Sequence, residues 1–335
     1  MSVSPVRRAP VQPPPTDGPT ARPETRRRPT AAPAPAGTAA LVARYSGVQR
    51  SRAQPSEAQI QHRLDAFAER MMGPYQVAGK QVHVAPPFRM VGGMKQEPAS
   101  TYVSRIQQAL GSDYGRVARD VGYVTVGKGT PEQLQRVTQA LIDSPTFAKY
   151  SRSDTEAGVR QLMWDHGIGM DCSGYVHHAL IASRAGGAAG IAIGDPLQSA
   201  LQSPPSASFQ RVTPESVRAG DVMLLAANGD GGHKVIVYAR HPVPPGTEVH
   251  ARVASALGSG SDARLHLIEV DSSWGASGDP ARGGVKRAVW AFDEASGRWA
   301  SMHKNSRGQW AAIASDDSGP YDHKLQGIFR PRAER

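Results

Sequence analysis

Apolar residues return every three or four positions in three stretches of the first half of the chain. In SEAQIQHRLDAFAERMMGP, Ile60, Leu64, Phe67 and Met71 form one stripe; Ser56 and Gln59 stand at capping-box spacing, and Gly73-Pro74 closes the run. ASTYVSRIQQALGS repeats the pattern with Tyr102, Val103, Ile106 and Leu110. TPEQLQRVTQALIDSP is the cleanest helix, with Thr130 as N-cap, Pro131 in the first turn, Gln133 completing the cap and Leu134, Val137 and Leu141 on one face. KQVHVAPPFRM reads as a connecting segment. After Tyr150 the period changes. Helices are expected over DTEAGVRQLMWDHG and CSGYVHHALIASR, the second with Val176, Ala179, Leu180 and Ser183 inward and its end at Gly186-Gly187. Strand patterns follow at 221–227, 233–240, 265–273, 285–292 and 325–330, and FDEASGRW reads as a hairpin turn. Helices first and an antiparallel sheet afterwards give an α+β class.

Residues 1–53 break this periodicity. Ten prolines precede Gly37, and such a segment buries too little apolar surface to offset its ordering entropy. The expected organisation is therefore a disordered Pro/Arg-rich tail over 1–53, a helical region over 54–148 and an α+β domain over 149–335. The formal net charge is +10, and the first 60 residues, with nine Arg against three acidic side chains, carry six of it. Basicity of this kind suits anionic partners, but paired Cys/His ligands and an aromatic ribonucleoprotein motif are both missing, so nucleic acid is not expected. No apolar run reaches the roughly 18 residues of a membrane span. The basic N-terminal residues lead into no apolar core, so delivery outside the cell is expected to use a route other than a Sec signal.

The single cysteine, Cys172, excludes an internal disulfide and concentrates the chemistry in one place. It stands in WDHGIGMDCSGYVHHAL, after two glycines that break the preceding helix and at the start of the next. Unpaired amides and the helix dipole favour a thiolate there. A nucleophilic thiol also needs a base within hydrogen-bond reach. His177 and His178 lie five and six residues into the same helix, point away from Cys172 and read as helix-surface residues; His166 reads as a loop residue. His233 follows the glycine-rich turn NGDGG and opens a strand, which holds it rigidly, and it is the chosen base. Asp171 and Asp221 read as structural, and Trp164 and Trp274 as packing or groove-lining residues. No ligand set has the spacing zinc uses, and neither a metal nor another cofactor is expected.

DCSGYV, then RAGDVMLLAANGDGGHKVIVYA, IEVDSS and GIFRP, taken in order, resemble the NlpC-type family of papain-like cysteine peptidases and amidases over about residues 150–331. The resemblance implies a nucleophile helix packed on an antiparallel sheet, with Cys172 as nucleophile and His233 as base. It also implies a third residue on the next strand, for which Asp271 is the choice and Glu269 the reserve. Tyr150, Asp171 and Ser173 are the oxyanion or substrate candidates. The implied substrate is an amide bond of a peptidoglycan stem peptide, cleaved through an acyl-enzyme by an effector or lysin. The basic tail would dock on a secretion or contractile injection apparatus. Two other readings stay open: a cytosolic cysteine deamidase or acyltransferase on the same fold, and a non-catalytic structural or adaptor protein of a phage-like particle.

Overall fold

Ser56 caps the first helix as its spacing requires. Its hydroxyl accepts from the Gln59 amide at 3.3 Å, and the Gln59 side chain accepts from the Ser56 amide at 2.9 Å. The computed structural model describes residues 55–89, 97–151, 155–183, 209–226, 233–275, 283–304, 308–312 and 324–332; the tail expected over 1–53 lies outside them. The helices are α1 (Glu57–Met71), α2 (Ala99–Leu110), α3 (Ala118–Val124), α4 (Pro131–Asp143), α5 (Thr155–Asp165) and α6 (Cys172–Ser183). Thr130 and Gln133 form the second capping box, and Leu134, Val137 and Leu141 of α4 are fully buried. The segment read as a connector opens with a short strand, β2 (Lys80–Val82), which forms a hairpin with β1 (Tyr75–Val77) just before it. No helix among the described residues is long and apolar enough to cross a membrane.

The second half builds an eight-stranded antiparallel sheet from β3 (Phe209–Val212), β4 (Val222–Ala226), β5 (His233–Val243), β6 (Leu265–Trp274), β7 (Gly284–Asp293), β8 (Trp299–Lys304), β9 (Trp310–Ala312) and β10 (Lys324–Pro331). Its order is β3-β10-β4-β5-β6-β7-β8-β9. The five apolar runs are β4, β5, β6, β7 and β10, and FDEASGRW is the turn from β7 to β8. The segment 241–262 holds one helix the periodicity did not mark, α7 (Glu248–Leu257), capped by the Thr247 hydroxyl on the His250 amide at 3.1 Å. Strands β3, β8 and β9 are short and mixed in composition; pairing with a neighbour defines them, because their own pattern is too brief to do so.

Alternation along β4 and β5 divides the interior. Leu224 and Ile236 face the helices, where they join Leu64, Phe67, Leu134, Tyr175, Val176 and Ala179 in one cluster. Met223, Leu225, Val235 and Val237 face the other way, toward Ile268, Val270, Trp290 and Phe292. Phe67 of α1 and Tyr175 of α6 meet edge to face, with ring centroids 5.2 Å apart. Gln54–Arg335 form one compact unit. The division expected at 148/149 is therefore not a packing boundary, since helices on both sides of it fill the same core. The class is α+β, as the order of elements indicates.

A shared core should unfold as a unit. Leu134→Ala removes a fully buried side chain and is expected to cost about 3 kcal/mol in urea denaturation. Amide exchange in β5, which makes no part of α4, should accelerate to match; a β5 rate unchanged by the substitution would show that the helical region unfolds separately.

Candidate active site

The start of α6 is held from three sides. Met170 accepts from the Arg89 amide and donates to the Pro87 carbonyl, both at 3.0 Å, and the Ser273 hydroxyl of β6 donates to the Met170 carbonyl at 2.6 Å. Asp171 then caps the helix: Oδ1 accepts from the Gly174 amide at 2.6 Å, and its carbonyl accepts from the Tyr175 amide at 3.0 Å. Its own amide donates to the Gly127 carbonyl at 3.1 Å, and Lys128 Nζ reaches both carboxylate oxygens, at 2.7 and 2.6 Å. A Cβ at Gly174 would fall against the Gly127 carbonyl, so this approach requires glycine. Cys172 opens the first turn at 7% exposure.

The residue that meets Cys172 is Lys234. Successive residues of a strand point to opposite faces. Ile236 lies on the helix side of β5, so Lys234 shares that side, while His233 shares the other with Val235 and Val237. Lys234 is 1% exposed, and its Nζ donates to the Ser173 hydroxyl at 3.2 Å. Its backbone amide donates to the Cys172 sulfur, and its carbonyl accepts from the Ser272 hydroxyl at 2.6 Å. The His233 ring packs instead on Trp274, centroids 4.4 Å apart and planes tilted by 34°. The structure thus brings Cys172, Asp171 and Ser173 together with Lys234 and Lys128, and places the expected base His233 across the sheet.

The expected third residue also has another partner. Asp271 lies on the helix face of β6, paired with Ile236, and is closed by Arg287, whose Nε and Nη2 donate to its two oxygens at 2.8 and 3.0 Å. Arg287 continues to Asp65 of α1 at 3.1 Å and lies 3.3 Å over the Tyr238 ring, while Tyr238 donates to Asp65 at 2.8 Å. The reserve choice, Glu269, accepts from His241 at 2.9 Å. Tyr150 is buried and donates its hydroxyl to Asp165 at 2.8 Å, in edge contact with His166. His177 and His178 are buried and not on the surface: His178 donates from Nε2 to the Lys128 carbonyl at 3.0 Å, and the His177 ring packs edge-on against it, centroids 5.2 Å apart. Asp221 pairs with Arg330 at 2.9 Å, the structural part expected of it. Trp164 lines a small surface pocket with Phe88, Arg89 and Tyr102.

Burial dominates the charges at this site. It pushes the Cys172 thiol up, Asp171 adds to that, and the Lys234 amide with the Lys234 and Lys128 cations pull back less. The helix start alone therefore does not produce the lowered thiol its position suggested. Burial also lowers Lys234 to about 8, while Cys172 and Asp171 act against that fall. Asp171 is itself raised by burial, against Lys128. Both effects favour neutral partners: a thiol beside an amine that gives up its proton just above neutrality. Among the described residues no group of three His, Cys, Asp or Glu side chains could hold a metal ion.

No protein-family model, curated protein or solved structure matches the chain. Its chemistry must be read from these side chains. Lys234 carried a signal, being the one charge inside the apolar run HKVIVYA, yet strand pattern alone left open which of two adjacent residues meets the helix. Lys128 carried none, lying 43 positions from Asp171.

Iodoacetamide should therefore report on Lys234. Its rate on Cys172 is expected to climb as pH passes about 8 and to fall by about tenfold at pH 8.5 in Lys234→Met, with His233→Ala close to wild type. Loss in His233→Ala alone would restore histidine as the base. Asp271→Ala should cost about 2 kcal/mol in urea denaturation by removing the bidentate partner of Arg287 and leave the alkylation profile in place; a shifted profile would return Asp271 to the reacting group.

Proposed function

We propose that the chain is a cysteine-dependent amidase that works through a thioester, with Lys234 in the place of the proton acceptor. What carries this reading is the buried Lys234 amine, held by Ser173 beside the only thiol of the protein and titrating near 8. Lysine serves as a general base when burial lowers its affinity for protons. In the first step the neutral amine takes the Cys172 proton as sulfur attacks the amide carbon. The first-turn amides of Cys172 and Ser173 precede the helical hydrogen-bond ladder and are available to the oxyanion. The Lys234 ammonium then returns its proton to the departing amine, and the carbonyl stays on sulfur as an acyl-enzyme. Water attacks that thioester, gives its proton to Lys234 and releases a carboxylic acid and the free thiol.

The substrate class follows from the resemblance of DCSGYV and the strands after it to NlpC-type enzymes: an amide of a peptidoglycan stem peptide. Lysine replaces histidine as the residue facing sulfur, a departure from that family that should move the pH optimum to the alkaline side. In this reading residues 1–53 serve as the docking element for a secretion or contractile injection apparatus. One observation favours a second reading. Cys172 is nearly covered and its thiol is raised, which also suits a scaffold that keeps the fold without turnover.

Digestion of purified sacculi separates the two. Wild type should release new amine and carboxylate ends, more at pH 8.5 than at pH 7, Cys172→Ala and Lys234→Met should release none above background, and His233→Ala should retain release. Products from Cys172→Ala equal to wild type would sink the amidase. Absence of products in every variant, together with slow alkylation, would establish the scaffold.

A further inference from the structure

We propose that Lys128 is a positioning residue of the Cys172–Lys234 pair, acting through the Asp171 carboxylate to set how readily the pair passes its proton. The inference rests on the reading of Cys172 and Lys234 as the reacting groups. Asp171 is nearly buried, adjoins Cys172 in the chain and spends one oxygen on the Gly174 amide. Left alone, its negative charge would oppose a thiolate on Cys172 and hold the proton on Lys234. Lys128 Nζ sits within 2.7 Å of both oxygens and offsets that charge.

Lys128 is built into place from several directions. Its carbonyl accepts from His178 Nε2 of α6, and the Gly127 carbonyl before it accepts from the Asp171 amide. Gly127 has φ +74°, and a Cβ there would meet the Arg89 carbonyl and the Asp171 amide, so the turn bearing Lys128 is pressed onto the cap. The fractional exposure of the Lys128 side chain is 24% and that of Asp171 is 11%, leaving the pair partly screened.

The charged and titratable groups that act on the pair are few. From α6 and its cap come Asp171 and Cys172, from β5 Lys234, and from the 127–128 turn Lys128. His178 sees Lys128, Asp171 and Glu132 of α4 and is held below its ordinary value by burial; His177 is held to about 4 by burial, His178 and Lys128. Both imidazoles are therefore neutral where the pair works. The signs are opposite for the two members of the ion pair: Lys128 lowers both the Cys172 thiol and the Lys234 amine, and Asp171 raises both.

The test is the pH midpoint of Cys172 alkylation by iodoacetamide, which needs no substrate and so stands apart from sacculus digestion. Lys128→Met should move the midpoint up by about one unit, Lys128→Arg should restore it, and Asp171→Asn, which can still cap Gly174, should move it down. The double variant Lys128→Met/Asp171→Asn should fall back toward wild type, since the charge Lys128 opposes is gone. A merely structural lysine would lower the melting temperature and leave the midpoint fixed, and that result overturns the proposal. Should Lys128→Met fail to fold, Asp171→Asn decides alone: a midpoint unmoved or raised overturns it equally. Failure of sacculus digestion with these shifts intact would sink the amidase and spare the electrostatic role of Lys128.

Discussion

A buried lysine side chain at the first turn of α6, its Nζ on Ser173 and its backbone amide on the lone sulfur, is the constraint from which the arrangement of the site follows. Taking an ammonium out of water costs several kcal/mol unless it is paired or loses its proton. Lys234 answers in both ways, by donating to Ser173 and by titrating near 8. That burial is possible because the helix start is immobilised around it. Ser273 and Arg89 hold Met170, Asp171 caps the helix, and glycines at 127 and 174 allow two backbones to touch. The sheet supplies the remaining restraint, since Ser272 fixes the Lys234 carbonyl while its amide is given to sulfur.

Desolvation and ion pairing compete here, and desolvation wins on the thiol. A dipole at a helix start contributes about 0.3–1 kcal/mol at an exposed site, too little to outweigh the loss of water around a charged sulfur. Below about pH 8 the Lys234 amine keeps its proton beside a neutral thiol, and above it the amine is free to accept one. With Lys234 protonated, two cations face one carboxylate, so the cap of α6 shares in the charge balance around the thiol instead of serving as a purely local device.

The carboxylates show how position overrides residue type. Asp271 lies on the face of β6 that α6 covers, yet it is two positions along the sheet from Lys234 and is closed by Arg287. That guanidinium binds Asp271 and Asp65 and stacks on Tyr238, linking α1 to β5, β6 and β7. A buried acid with a bidentate guanidinium is a staple between layers. Tyr150 tells the same story at smaller scale, its hydroxyl tied to Asp165.

The sequence alone determined the elements whose period is long or whose caps are explicit: α1, α2, α4 and α6, and the five apolar strands. It also placed Cys172 at the mouth of a helix, because glycines before it and an aspartate at the cap are local signals. The short strands β3, β8 and β9 and helix α7 escaped, since three to six residues, or one helix within a long connection, are too brief to announce themselves. Only the tertiary structure decided the partner of the thiol. His233 and Lys234 are neighbours in the chain, and a strand sends neighbours to opposite faces; the choice between them is made by register and by which face the helix covers. It likewise gave Asp171 to Lys128 and Asp271 to Arg287, because an ion pair depends on distance in space, about which a linear pattern is silent.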